Sequence, residues 1–361
     1  MSRVFIIGAG FIGRAHAEAA ALLGSAIHVA DPSEAALQGF LDKFPEAAAF
    51  PDADKMLSIP AHEDDVVVVA TPPVTHAPLA KRAFASGRHV LADKPLGFSL
   101  ADGQEMLTAA RSAGKRLGCA SNRFLGYAST ERARQIVQSG ALGEIYHATV
   151  CHRRARMRSG IEYQPETRWF LDKSRSGGGV MMDWGVYDLT TFFHVLEPIK
   201  VEILQAWMRR PPTGADPTDV VFDVETHVGA TLRVTTAAAE TVIVDYERAS
   251  ASQGSERMIM EVDGLTRALR WDWIPWLKDG KADVAVREDE GGKAVEQIQT
   301  FDLSREQHFH HRPLNYFVRA LQGEPVPALL HSRAVFGFAV VRGIYEVAQG
   351  SGPLTFELTD F

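Results

Sequence analysis

Cysteine is scarce: the 361-residue chain carries two, Cys119 and Cys151. Two thiols make no disulfide framework, so a reducing compartment is expected. No run approaches the roughly 20 apolar residues that span a bilayer, and no membrane association is expected. Positive charge is short as well. Lys and Arg number 38 against 45 Asp and Glu, a net charge of −7, which argues against the basic footprint of a nucleic-acid binder. The chain enters an apolar run, Val4-Phe5-Ile6-Ile7, without the pattern of a secretory signal. A cytoplasmic location is the expectation. Internal repeats and low-complexity tracts are also lacking.

The remainder is ordinary globular material, 46% hydrophobic and 23% charged, enough to bury a core. At roughly 150 residues per domain the length fits two domains. Short apolar runs alternate with helical patterns through the first third. Strands are expected at Val4–Ile7, Ile27–Ala30, Val66–Val69, His89–Leu91 and Leu117–Ala120. Helices are expected at 11–23, 32–44, 76–86 and 100–113. The four valines at 66–69 are typical of a strand buried on both faces. Strand–helix alternation predicts a parallel sheet with right-handed crossovers.

The pattern changes near Ser121. After a helix over 130–139, β-type stretches follow at 144–154, 201–208, 220–228, 230–237 and 241–248. Helices are expected at 179–196, 305–321 and 333–348, a turn-rich loop at 211–217, and a hairpin tip at 288–293. The fold class is therefore α/β: a Rossmann-type dinucleotide-binding domain over 1–121, then an α+β domain over 122–361 with a large, mostly antiparallel, open-faced sheet. The second domain would bind substrate and mediate oligomerisation.

Gly8-Ala9-Gly10-Phe11-Ile12-Gly13 follows the first strand and opens the first helix. In such a motif Gly8 permits the tight turn, Gly10 lets backbone approach a pyrophosphate, and Gly13 allows close helix–strand packing. The helix N-terminus offers N–H groups and a positive dipole end to phosphates. Asp31 ends the second strand, close to the roughly 20-residue offset of an acid that holds ribose hydroxyls. An acid there repels a ribose phosphate, so NAD is favoured over NADP.

Three further stretches carry a resemblance that covers most of the chain: Ala70-Thr71-Pro72-Pro73-Val74-Thr75-His76; Gly87 to Pro95, ending Asp93-Lys94-Pro95; and Arg168-Trp169-Phe170, Ser176 to Gly179 and Asp183 to Tyr187 together. With the glycine turn, they resemble the glucose–fructose oxidoreductase and inositol dehydrogenase family. Asp93 stands where that family usually has Glu. Tyr187 stands where most members have His, as in the branch that includes glucose–fructose oxidoreductase.

The resemblance implies that Thr71, Pro72, His76, Asp93, Lys94, Arg123 and Trp169 contact the cofactor, beside Gly8, Gly10, Phe11, Ile12, Gly13 and Asp31. It implies a cis Lys94–Pro95 bond, and catalysis by Lys94, Asp183 and Tyr187. The reaction implied is hydride transfer between NAD(H) and a secondary alcohol or ketone of a sugar, glycoside or inositol. Tyr187 is taken as the acid–base group. A neighbouring ammonium, from Lys94, favours the phenolate. Asp183, four residues before Tyr187 and so on the same helix face, would hold a sugar hydroxyl and orient Lys94. The alternative makes Lys94 itself the proton shuttle.

Lys94, Arg123, Asp183 and Tyr187 are also expected to bind substrate, with Arg154 and Arg156. These two alternate with Arg158 along an extended stretch, where pairing with surface acids is the favoured reading and binding of a substrate carboxylate or phosphate the other. His194 is expected to be a core or cap histidine. The Trp271-Asp272-Trp273-Ile274-Pro275-Trp276 segment would stack on sugar or, the favoured reading, anchor a subunit interface. His308-Phe309-His310-His311 lacks zinc-site spacing, and no metal is expected. A homo-dimer or homo-tetramer through the open sheet face is implied. Two rival functions stay open: a sugar–sugar oxidoreductase with tightly held nucleotide, and a non-catalytic NAD or sugar sensor.

Overall fold

The computed structural model describes residues Arg3–Phe361. Contacts divide the chain into two compact units. One runs as far as Arg123 and also holds Gln307–Phe338 and Phe361; the other holds Phe124–Glu306 and Ala339–Asp360.

The first unit is built on six parallel strands: β1 (Arg3–Ile7), β2 (Ala26–Ala30), β3 (Ala48–Phe50), β4 (Val66–Val69), β5 (His89–Ala92) and β6 (Leu117–Cys119). Their order is β3-β2-β1-β4-β5-β6, which is the doubly wound dinucleotide-binding arrangement. The order reverses between β1 and β4, where open α/β sheets bind ligands. All four valines of β4 are fully buried, because helices cover both faces of a parallel sheet. The early helices are α1 (Phe11–Leu22), α2 (Glu34–Leu41), α3 (Ala53–Leu57), α4 (His76–Ala85) and α5 (Leu100–Ser112).

α2 starts two residues later than the sequence suggests. The Ser33 hydroxyl accepts the Ala36 N–H as N-cap, so Pro32 precedes the helix instead of entering its first turn. β3 is an element the sequence did not announce. It is three residues long and pairs in register with β2 through His28, Val29 and Ala30.

The second unit begins with α6 (Ala128–Gln138), β7 (Ile145–Arg153), α7 (Lys173–Ser176) and α8 (Val186–Leu196). Its strands continue as β8 (Pro198–Arg209), β9 (His227–Thr236), β10 (Thr241–Ala249), β11 (Arg257–Gly264), β12 (Arg267–Trp271), β13 (Lys281–Glu290), β14 (Lys293–Asp302) and, after α9 (Arg312–Leu321) and α10 (His331–Ala348), β15 (Leu354–Glu357). The nine strands lie in the order β14-β13-β12-β11-β7-β10-β9-β8-β15. Only β7 and β10 are parallel neighbours; every other pairing is antiparallel. β13 and β14 close at Gly291-Gly292, both at positive φ, as a two-residue hairpin turn requires.

Two sequence expectations change here. Residues 227–228 of one expected stretch and 230–236 of the next form one strand, β9, running through Gly229. A Cβ on Gly229 would stand 2.5 Å from the Trp207 ring, so this glycine admits the indole of β8 rather than ending a strand. Residues 220–226 stay outside the sheet. Asp223 N donates to Leu171 O, and Glu225 O accepts from Val180 N, which ties the segment to the helix start. The helix expected from residue 305 begins at Arg312. Pro313 sits in its first turn, where its fixed φ and missing N–H are favourable. No helix among the described residues is long and apolar enough to cross a membrane.

Candidate active site

In the first unit the glycine turn adopts the geometry its spacing predicts. Gly8 has φ +107°, and a Cβ there would lie 2.5 Å from Ala70 O. A Cβ on Gly13 would lie 1.9 Å from Gly8 O. Neither position admits another residue. Gly10 is exposed and would meet nothing within 4 Å, so open space lies over the start of α1. That helix has no side-chain cap and no acid in its first turn, which leaves its N–H groups and positive dipole end for an anion. Asp31 is tied to the same turn. One carboxylate oxygen accepts Ala9 N at 2.8 Å and the other accepts Ser33 N at 2.8 Å.

At the end of β5, Asp93 is buried at 4% exposure. Its two oxygens accept Arg123 Nη2 at 2.7 and 2.8 Å, one accepts His16 Nε2 at 3.2 Å, and one accepts Lys94 N at 2.5 Å. Burial pushes this carboxyl up, but the Arg123 charge and the His16 hydrogen bond outweigh it and hold it far below the usual carboxylate range. Lys94 follows, half-buried, and Lys94–Pro95 is cis. His76 is fully buried. Its Nε2 lies 2.8 Å from Thr71 O and its Nδ1 3.0 Å from Pro95 O, so it ties the Thr71-Pro72 turn to the Lys94-Pro95 turn. The 308–311 turn also borders the glycine motif. The His310 ring meets Phe11 edge-on at 5.6 Å, and burial together with Arg123 pushes its pKa down to about 2. His311 pairs with Glu18 of α1 at 3.0 Å.

In the second unit Asp183 and Tyr187 stand on successive turns of one helical run. Met181–Gly185 is a π-turn leading into α8, so the residue spacing assumed for a regular α-helix holds only from Val186 onward. Glu225 anchors that π-turn. Its carboxylate accepts Gly179 N at 2.8 Å, Met181 N at 3.0 Å and the Tyr345 hydroxyl at 2.6 Å, and burial raises its pKa. Asp183 is half-buried and accepts the Ser159 hydroxyl at 2.5 Å. Tyr187 is buried at 4% exposure, with Phe124 edge-on at 5.1 Å and Trp184 at 5.6 Å. Beneath Trp184 lies Arg248, 5.2 Å from the ring centre. Arg248 is fixed by two hydrogen bonds to the fully buried Asp188, at 2.7 and 2.5 Å.

Other expected residues have local partners. β7 ends at Arg153, so Arg154, Arg156 and Arg158 are not on one strand face. Arg154 pairs with Glu256 at 3.4 Å, and Arg156 donates to Ser252 O at 3.0 Å. Arg158 is buried against Glu162 and Asp216. Trp169 stacks on Phe170 at 4.0 Å. His194 pairs with Glu131 at 2.8 Å, remote from Asp183 along α8. Trp271 and Trp273 are buried within their own unit, and only Trp276 of the three is exposed. Among the described residues no three His, Cys, Asp or Glu side chains converge as a metal site. Sequence reasoning missed His16, Ser159 and Glu225. His16 lies one helical turn after Ile12, facing the sheet, and that periodicity was its only signal. Ser159 and Glu225 carry none.

A parallel sheet in this order, with a glycine turn opening onto an uncapped helix, defines a dinucleotide-binding α/β protein. Residues 2–121 match the family described as "Oxidoreductase family, NAD-binding Rossmann fold", and residues 130–256 match the GFO/IDH/MocA C-terminal domain. The chain belongs to the GFO/IDH/MocA oxidoreductase family. It is 36% identical over 134 residues to a 1,5-anhydro-D-fructose reductase of Ensifer adhaerens, a match covering 37% of this chain and 38% of that protein. Matches to its curated relatives span between 34% and 54% of those relatives' own lengths. The fold is shared with an aldose–aldose oxidoreductase of Caulobacter crescentus complexed with glycerol, at TM-score 0.73 and 20% identity, over 99% of this chain and 100% of that one. It is also shared with a levoglucosan dehydrogenase complexed with NADH and L-sorbose, at TM-score 0.76 and 17% identity, over 99% and 100%.

Proposed function

We propose that this protein is an NAD-dependent oxidoreductase acting on a secondary alcohol or ketone of a sugar or polyol. The observation that carries the reading is the glycine turn: Gly8 and Gly13 exclude any side chain, while Gly10 leaves open space over an uncapped helix N-terminus. That arrangement suits a pyrophosphate. Gly8, Gly10, Phe11, Ile12 and Gly13 hold it, and Asp31 takes the ribose hydroxyls, favouring NAD over NADP. Thr71, Pro72, His76, Asp93, Lys94, Arg123 and Trp169 complete the cofactor contacts, His76 and Asp93 by fixing the loops that carry Thr71 and Lys94.

When bound, NAD accepts or supplies the hydride. The protein supplies position and proton management. Tyr187 takes the hydroxyl proton as the C–H bond breaks, Lys94 bonds the reacting oxygen and stabilises the phenolate, and Asp183 holds a sugar hydroxyl. Relatives named as a 1,5-anhydro-D-fructose reductase and a dTDP-3,4-didehydro-2,6-dideoxy-alpha-D-glucose 3-reductase support this substrate class. A homo-oligomer through the open sheet face is part of the reading. That face carries a hollow of about 260 Å³ beside Trp207.

The test is spectroscopic. Purified protein is dialysed, its absorbance recorded, and NAD added with a panel of aldoses, inositols and glycosides. Growth of the reduced-nicotinamide band with one sugar class supports the reading. Turnover between sugars without added NAD identifies the form that retains its nucleotide. NAD binding with no turnover on any member refutes the dehydrogenase reading in favour of a sensor.

A further inference from the structure

Trp276 lies in the loop after β12 and is 44% exposed. It is not an isolated surface residue. Its ring is 6.2 Å from Trp184 at 72° and 5.7 Å from Phe124 at 59°. Trp184 directly follows Asp183, and both Trp184 and Phe124 meet Tyr187 edge-on. The cluster is held firmly. Arg248 underlies Trp184, Asp188 fixes Arg248, and Trp273 packs edge-on against Phe124 at 5.0 Å. The exposed indole is therefore the outer end of a rigid aromatic wall whose inner end is the Tyr187 ring.

Single exposed apolar residues need no explanation. A tryptophan continuous with the expected acid–base residue is different, because water-facing indole surface beside polar groups suits a ligand with one apolar and one hydroxylated side. A pyranose is such a ligand. The C–H bonds on one face of its ring, polarised by neighbouring oxygens, lie on the electron-rich face of an indole, while its hydroxyls turn to Asp183 and Tyr187. An open-chain polyol has no fixed C–H face to offer.

We propose that Trp276 is a specificity-determining residue, which stacks on a six-membered sugar ring and selects ring sugars over open-chain polyols. This rests on the oxidoreductase reading above and names the substrate class within it. The experiment compares wild type, Trp276→Ala and Trp276→Phe on pyranoses and their matched alditols, for instance glucose and glucitol, with saturating NAD. In Trp276→Ala the KM for the turned-over pyranose should rise about tenfold or more, with the loss falling on KM rather than kcat. Trp276→Phe should recover most of it, and the NAD Kd should not move. A KM that stays put, or that rises equally for ring and open-chain substrates, overturns the proposal. So does a change of oligomeric state in Trp276→Ala on size-exclusion chromatography, which would make the residue an interface anchor. A second arm follows intrinsic fluorescence on titration with methyl glucoside in the presence of NAD. Should wild type turn over no sugar, the oxidoreductase reading fails alone if it still binds the glucoside and Trp276→Ala does not. No response in wild type overturns the stacking proposal too.

Discussion

Asp93 grips Arg123 with both carboxylate oxygens on one guanidinium nitrogen, at 2.7 and 2.8 Å, and both side chains are almost wholly buried. Removing one partner of such a pair leaves an uncompensated buried charge, which costs about 3–5 kcal/mol. Asp93→Asn should lose stability on that scale, read as a lower urea midpoint at pH 7. The pH dependence has a definite sign. The folded carboxyl sits far below its unfolded value of about 3.9, so its contribution is fully present above that value and is lost as pH falls below it. The difference between wild type and Asp93→Asn should therefore shrink in acid. A constant difference between pH 7 and pH 3 would contradict this.

Tyr187→Phe removes one oxygen and leaves the ring packing on Phe124 and Trp184 in place. If the phenol moves the proton, kcat should fall by about 10²–10⁴ with little change in melting temperature. A loss under about tenfold would transfer the acid–base role to Lys94, and Lys94→Met would then carry the larger defect. Steady-state rates against pH for both variants decide between them.

Asp31 has two duties: it accepts Ala9 N from the glycine turn and carries the negative charge expected to repel a ribose phosphate. Asp31→Asn should weaken NAD binding about tenfold, since one oxygen that met an N–H becomes a donor or loses its charge. It should also narrow the preference for NAD over NADP. Titration calorimetry with both nucleotides checks this. An unchanged ratio of the two affinities would confine Asp31 to holding the turn.

Gly13→Ala should be the most damaging single methyl in the first unit. Its Cβ would stand 1.9 Å from Gly8 O, a backbone atom unable to step aside without opening the turn. NAD binding should be lost, with far-ultraviolet circular dichroism reporting whether the unit still folds. Gly10→Ala serves as the contrast: nothing lies within 4 Å of its Cβ, so it should fold normally and weaken only the nucleotide. Equal stability losses in the two variants would refute the packing argument.

Much of the first unit was legible because its signals are local. A glycine that must take φ +107°, four valines buried on both faces and Ser or Gly at helix ends each act within a few residues. The second unit was harder to read. Of β11 to β15 only the tip between β13 and β14 was announced, Gly229 resembled a strand end, and residues 220–226 have the β-type pattern without being in the sheet. Gly229 is explained by the Trp207 ring directly opposite it on the neighbouring strand β8, which no local pattern announces. Likewise Glu225 reads as one more acid until its carboxylate is found on Gly179 N and Met181 N.

The family resemblance singled out Lys94, Asp183 and Tyr187; the sequence by itself determined five of the six strands of the parallel sheet, their alternation with helices, the glycine turn and the position of Asp31. These depend on backbone sterics and on side-chain periodicity, which act along the chain. Tertiary structure decided that Gln307–Phe338 completes the first unit, that Asp93 is committed to Arg123 and His16, that Arg154 and Arg156 pair with nearby groups, and that Trp276 extends a wall from Tyr187. Each is a pairing between residues far apart in sequence. Burial makes such partners strong, since an unmatched charge or polar group away from water is costly, but burial becomes known only once the chain has folded.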